Sequence, residues 1–393
     1  MKGFLKKLFI FFSCTFCIFF SFIFIDDITA VALESDYESD YTISDDFISA
    51  SGADSIIDDV PSDIQSVLQK YNISADNPDA VDDFGILEVL NIISNSILEK
   101  ITSPLRMFLT LIAVIVFTAF AEASKGGLKG GTEHIGGIIT AMAGAVAVMP
   151  DICSCFLRVR ETIAQSSDFM TTFTPVFAGI IITSGNPGTG ICYNTAVYAL
   201  VNIIIQVINN ALLPLLSMSL ALSVTDAITK DISVSGLQKF MKTIVTWILG
   251  FLMTVFIGVL SIQGIVKGTT DTFASKTARY VVSNFVPFVG GAVSDAYSTV
   301  LGSLKILKSC TGFVGIITLC ILFLPVLTEL MLYRLAISCA AATSELFGSS
   351  SITRLLRGIE LTLRMTFSVL VCFSVMFLVA IALVLMLTGN ALS

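Results

Sequence analysis

Apolar residues in this chain gather into long blocks separated by short polar interruptions. The blocks predict bilayer-spanning helices at 104–123, 135–157, 191–222, 243–266, 310–334 and 363–388, against the roughly 20 residues that a hydrocarbon core of about 30 Å requires. The block at 191–222 is longer than one crossing needs and is predicted to break at Pro214. Two shorter pieces, 172–186 and 284–303, carry Pro and Gly and are predicted to be broken or re-entrant helices. Backbone groups in lipid must be satisfied internally, so Pro and paired Gly at membrane depth imply packing on protein or a wet cavity.

The two short pieces match each other. Phe173–Gly179 reads FTPVFAG and Phe285–Gly291 reads FVPFVGG, both F-x-P-x-x-x-G. Each precedes an apolar span with a further proline, LLP at 212–214 and FLP at 323–325. This order predicts a two-fold internal repeat, about 135–222 and 243–334, followed by a final span at 363–388. Discontinuous helices in corresponding positions of two repeats point to channel-like or transporter-like folds. Pro175, Gly179, Pro287, Gly290 and Gly291 are thus candidate helix breaks at a conduit.

Polar residues inside or beside the spans are costly unless they face protein or water. Gln263, Asn284, Asp295 and Glu329 are therefore candidate polar lining. Two readings stay open for each carboxylate. Asp295 either lines a path or caps the helix continuing through Tyr297 to Leu304, and Glu329 either lines a path or sits with Arg334 at an interface. The densest concentration of such groups lies in Ser261–Val300, with Gln263, Lys267, Asp271, Lys276, Arg279, Asn284 and Asp295.

The first hundred residues read differently. Lys2, Lys6 and Lys7 precede an apolar run from Leu8 to Ile25, and Ala30-Val31-Ala32 fits a signal-peptide cleavage site after Ala32. Residues 1–32 are read as that signal, or as an uncleaved anchor, and either places the following segment outside. Residues 26–103 hold 18 acidic residues against Lys70 and Lys100, a net of −16. The stretch 33–80 is predicted to be disordered or loosely helical, extracytoplasmic and solvated, and Ile64, Val67, Leu68 and Tyr71 recur at helical spacing. Residues 84–101 predict an amphipathic helix, with Ile86, Leu87, Leu90, Ile93, Ile97 and Leu98 on one face. Its polar face lacks Lys and Arg, which favours a protein partner over an anionic lipid surface. The domain plan is thus a signal (1–32), an acidic extracytoplasmic segment (33–103) and a multispanning domain (104–393).

Composition narrows the class further. Hydrophobic residues make up 55% of the chain and charged residues 13%, with mean hydropathy +0.89, where soluble domains carry about 25% charged residues. The chain reads as an all-α polytopic membrane protein. Residues 104–393 hold 12 acidic and 17 basic residues, but no basic stripe with interleaved aromatics suggests nucleic acid. Basic residues mark nearly every loop, so the spans carry no clean positive-inside orientation. Of the nine cysteines, Cys14 and Cys17 lie in the first apolar run; among the other seven the one close pair is Cys153 and Cys155, and the single histidine is His134, so neither a metal site nor a disulfide framework is implied. GGLKGG at 126–131 lacks the Lys-Ser/Thr of a phosphate loop, and no hydrolase or dinucleotide fingerprint occurs. No enzyme and no cofactor is expected.

The polar stretch also resembles a family. Ser261-Ile262-Gln263-Gly264, Thr277-Ala278-Arg279-Tyr280-Val281, Asn284-Phe285-Val286-Pro287, Val289-Gly290, Asp295-Ala296 and Thr299-Val300 resemble the central signature of the stage III sporulation protein AE family, with Gly389-Asn390 matching near the end. The similarity extends over about 85–390. The resemblance implies a multi-pass protein of the mother-cell membrane around the forespore in an endospore-forming bacterium. It implies membership of the assembly encoded by the stage III A operon, whose ring-forming membrane proteins and cytoplasmic ATPase resemble secretion machinery. It implies an indirect link to stage II sporulation protein Q across the intermembrane space. The polytopic member would be the conduit or export gate needed for late forespore gene expression. The alternatives are an autonomous secondary transporter, and a scaffold anchoring the ring proteins through 33–101. The family supplies no catalytic residues.

Overall fold

A computed structural model of the chain describes residues 65–66, 68–69, 100–123, 132–184, 186–229, 234–285 and 290–389; the side chains of 121–123, 132–136, 235, 262–285, 290–301, 305 and 386–389 are outside the description. Among the described residues the regular structure is entirely helical. The helices are α1 (Thr102–Ala123), α2 (Thr132–Thr183), α3 (Pro187–Val207), α4 (Leu213–Ile228), α5 (Ser235–Phe285), α6 (Gly290–Leu346) and α7 (Ser350–Gly389). A π-helical turn, Ile208–Leu212, joins α3 to α4. Among the described residues, six stretches are long and apolar enough to cross a membrane, with α3, the π turn and α4 counting as one. Each contains or closely overlaps one of the six spans expected from the apolar blocks.

The helices are longer than the blocks. Helix α2 has 52 residues, α5 has 51 and α6 has 57. At 1.5 Å per residue α2 extends about 78 Å, well over one hydrocarbon thickness. The segments expected to be polar linkers are continuous helix instead. Between Arg158 and Thr171 there is no Gly or Pro, and Val159, Ile163, Ser166 and Met170 are buried at alternating spacings of three and four. That spacing gives the stretch one inward stripe, so it packs as helix despite its polarity.

The helix is not interrupted at Pro175, where a break was expected. Helix α2 passes through both Pro150 and Pro175 and ends at Thr183. Pro175 is exposed, whereas Phe173 and Phe177 on either side are fully buried. An outward proline costs one intrahelical hydrogen bond, and inward packing holds the helix together around it. Phe169, Phe173 and Phe177 stack with centroids 5.3 and 5.0 Å apart, and Phe177 meets Tyr193 of α3 edge-on at 5.7 Å. The reversal comes two turns later, at 184–186, and Pro187 opens α3 at a position where its missing N–H costs nothing. The second expected piece, 284–303, is divided: α5 ends at Phe285 and α6 begins at Gly290. Pro287 lies outside the described residues. So do residues 1–32, read as a signal peptide with Ala30 and Ala32 at its cleavage site, and nearly all of the acidic segment.

The break expected at Pro214 takes the form of the π turn. The N–H of Leu213 reaches back to the carbonyl of Ile208, five residues away. Pro214 has no N–H, and its ring would collide with the carbonyl four residues earlier. The wider turn relieves that conflict just before the proline.

Helix α6 is the centre of the bundle. In its most apolar stretch 83% of the residues are buried, against 28% in α1 and in α5. It packs on α7, α2, α1 and α5, while α7 packs on α6, α4, α5 and α2. The outer helices expose Phe117, Phe120, Val146, Trp247 and Phe251, a surface suited to lipid. One described residue of the acidic segment joins the interior. Leu68 is helical, fully buried and part of the same hydrophobic cluster as Met107, Leu111 and Ile115 of α1. Leu68 is one of the residues whose helical spacing the sequence showed, and an exposed Leu gains about 1.5–3 kcal/mol from such burial.

Candidate functional site

Polar groups buried in this bundle are concentrated where α6 and α7 meet their neighbours. Glu329 of α6, 3% exposed, is gripped by Arg158 of α2. The Arg158 Nε donates to Glu329 Oε2 at 2.9 Å, and Nη2 donates to Oε1. This two-point contact matches the planar guanidinium to the carboxylate. Arg158 keeps 35% of its side chain exposed, so one end of the pair reaches the bundle surface. Buried Cys155 lies one turn before Arg158 and buried Tyr333 one turn after Glu329, and Asp151 is within electrostatic reach of the Tyr333 phenol. Both readings of Glu329, lining a path or sitting with Arg334 at an interface, stand beside this pairing with Arg158, which the sequence did not suggest.

A second cluster ties α4, α5 and α7 together. Ser219 Oγ and Thr362 Oγ1 are 2.8 Å apart, and Gln238 Nε2 donates to Ser223 Oγ at 2.9 Å. Ser223 in turn donates to the Ser219 carbonyl, and Thr362 to the Gly358 carbonyl. Gly358 permits the approach, since a Cβ there would stand 2.8 Å from both Cβ and Oγ of Ser223. Asp226 Oδ1 accepts from the Val234 backbone N–H at 3.0 Å and closes the α4–α5 connection.

The third cluster braces the α6–α7 hairpin, which turns at Gly348 with φ of +77°. Arg357 donates to Glu345 through Nε and Nη2 at 3.0 and 2.7 Å, and to Glu360 through Nη1 at 3.0 Å. Arg364 Nη2 donates to the other oxygen of Glu360 at 3.1 Å.

These arrangements hold helices in register and carry no paired nucleophile and base. Among the described residues no three His, Cys, Asp or Glu side chains gather as a metal set would. Of the candidates from sequence with described side chains, Pro175 faces outward and Gly179 lies within α2 with open space where a Cβ would go. Only Glu329 occupies a buried polar cluster. Gln263 and Asn284 fall on α5, and Gly290, Gly291 and Asp295 on the first two turns of α6, with their side chains outside the description. Reading by sequence missed Arg158, Ser219, Ser223, Gln238 and Thr362. A usable signal was present: Ser219 and Ser223, like Gly358 and Thr362, are four apart, which places small and hydroxyl groups on one helix face.

The family model for stage III sporulation protein AE matches residues 77–388. This chain belongs to the stage III sporulation protein AE family. Its relative in Bacillus subtilis (strain 168), stage III sporulation protein AE, is 24% identical over 312 residues, covering 78% of this chain and 77% of the relative. No solved structure matches. All three clusters lie inside the region that matches the stage III sporulation protein AE family, as does the stretch Ser261–Val300 that carried the resemblance.

Proposed function

We propose that this chain is a non-enzymatic integral-membrane component of the channel complex linking mother cell and forespore, serving as its conduit or export-gate element. The carrying observation is the family match across 77–388 together with six membrane-length apolar helices. In this reading the chain sits in the mother-cell membrane around the forespore, with 1–32 as its signal peptide and the acidic segment outside. Its partners are the lipid bilayer and the other membrane proteins of the stage III A operon. It is linked indirectly to the complex ATPase and to stage II sporulation protein Q. Pro287, Gly290 and Gly291 mark the interruption between α5 and α6, Gln263, Asn284 and Asp295 line the path nearby, and the two F-x-P-x-x-x-G segments are relics of a two-fold repeat.

Replacing Pro287 and Gly290 together with Ala is expected to block late forespore gene expression while protein levels stay normal. Normal sporulation in that variant sinks the conduit assignment. The burial of Leu68 favours a second reading, a scaffold that holds the acidic segment against the bundle for the ring proteins. Deleting 33–101 separates the two: a scaffold loses assembly of the ring proteins, whereas a conduit retains it.

A further inference from the structure

The span formed by α3, the π turn and α4 carries an uncharged polar stripe on its outside, interspersed with exposed Ile191 and Tyr198. Toward the bundle it turns Tyr193, Val197, Leu200, Val201, Ile204, Ile208, Leu212 and Leu216, all buried. On the opposite side Thr195, Asn202, Gln206, Asn209, Asn210 and Ser217 are exposed, at spacings that place them along one stripe. Six exposed polar residues on one stripe are more than a lipid-facing helix ordinarily carries. Thr195, Asn202 and Ser217 turn back onto their own helix, bonding the carbonyls of Ile191, Tyr198 and Leu213. The carboxamides of Gln206, Asn209 and Asn210 bond no group among the described residues. At the same place the backbone is unsatisfied too. The Leu213 N–H goes to Ile208, and Pro214 has none, so the carbonyl of Asn209 lacks its usual helix donor. Three carboxamides and a freed carbonyl thus stand near the middle of a 42-residue span, where unpaired polar groups are costly in lipid.

We propose that this face is a docking surface for a second copy of the same chain. The chemistry of the face favours that occupant. It carries no charge, so it does not call for an ionic partner. A carboxamide both donates and accepts, which makes a row of them complementary to itself. Two copies inserted the same way hold Asn209 and Asn210 at equal depth, so a two-fold axis along the membrane normal brings them together without any adjustment. Carboxamides between helices in a membrane supply hydrogen bonds that fix register. Exposed Tyr198, Ile203 and Met218 flank the stripe and supply apolar contact around it. The inference does not depend on the conduit reading, since a transporter or a scaffold could dimerise on the same face.

The test uses the full-length chain with its nine native cysteines replaced. Single cysteines are placed by Gln206→Cys, Asn209→Cys and Asn210→Cys, with Trp247→Cys on another exposed face as reference. Oxidation in native membranes is expected to give disulfide-linked dimers from the three polar-face positions and none from the reference. Asn209→Leu with Asn210→Leu, in an otherwise native chain, is expected to weaken self-association about tenfold by energy transfer between labelled copies, with protein levels unchanged. Four results overturn the proposal: dimers equally abundant from Trp247→Cys, an adduct with a different protein, labelling by a membrane-impermeant maleimide without dimers, or labelling only by a lipid-soluble one. The last three would assign the face to another partner, to water or to lipid.

Discussion

At the scale of single residues the pair Arg158–Glu329 is asymmetric, and the asymmetry can be measured. Glu329 is buried while Arg158 keeps a third of its side chain in contact with the surroundings. Removing the arginine leaves a carboxylate stranded among apolar neighbours. Removing the carboxylate leaves a guanidinium that can still reach outward. Arg158→Leu is therefore expected to lower stability in detergent by about 3 kcal/mol, and Glu329→Gln by clearly less. Combining Arg158→Leu with Glu329→Leu should recover most of the loss, since a buried pair replaced by apolar groups is often neutral. Equal losses from the two single variants, read by thermal unfolding, would show that the pair is not the clamp described here. The partnership was not legible beforehand, because Glu329 identifies itself as a costly group but nothing local names a partner 171 residues away. Arg334, five residues along, looked nearer in sequence and did not become the bidentate partner.

At the scale of elements the six apolar blocks were legible because bilayer thickness sets a length that few other constraints imitate. The stretches between them were not. Arg158–Thr171 is polar in composition, yet its residues have adequate helix propensity and one buried stripe, so α2 runs through it. Proline misled in one place and informed in another: Pro175 points outward and is absorbed, whereas Pro214 produces the π turn. A π turn holds about one residue more than an α turn of the same height. Deleting Ala211 together with Pro214→Ala, which removes the ring that the wider turn accommodates, should convert it to ordinary α-helix while leaving the buried faces of α3 and α4 in place. The expected outcome is a chain that accumulates and unfolds at nearly the original temperature but fails to support sporulation. A sharp fall in stability would mean that the turn serves packing alone.

At the scale of the whole molecule the centre is a single helix, α6, wrapped by the others, and polar contacts join it and α7 to partners far away in sequence. Leu68, a described residue of the acidic stretch, is part of the same core. The composition of that stretch gave no sign of this beyond the helical spacing of a few apolar residues. The distance between Arg158 and Glu329 along the chain also bears on how the protein is made. At about 5–20 residues per second, roughly 10–30 s separate the emergence of the arginine from that of its carboxylate. For that interval α2 is in or near the membrane with a cation whose neutralising group has not been synthesised. A chain ending at Phe285 would stay in that condition permanently. It should be degraded faster in a pulse–chase than the same truncation carrying Arg158→Leu, and equal half-lives would show that insertion does not wait on the pair. The ion pair would then act as a completion signal, telling quality-control proteases apart from a finished chain only when its last third has arrived.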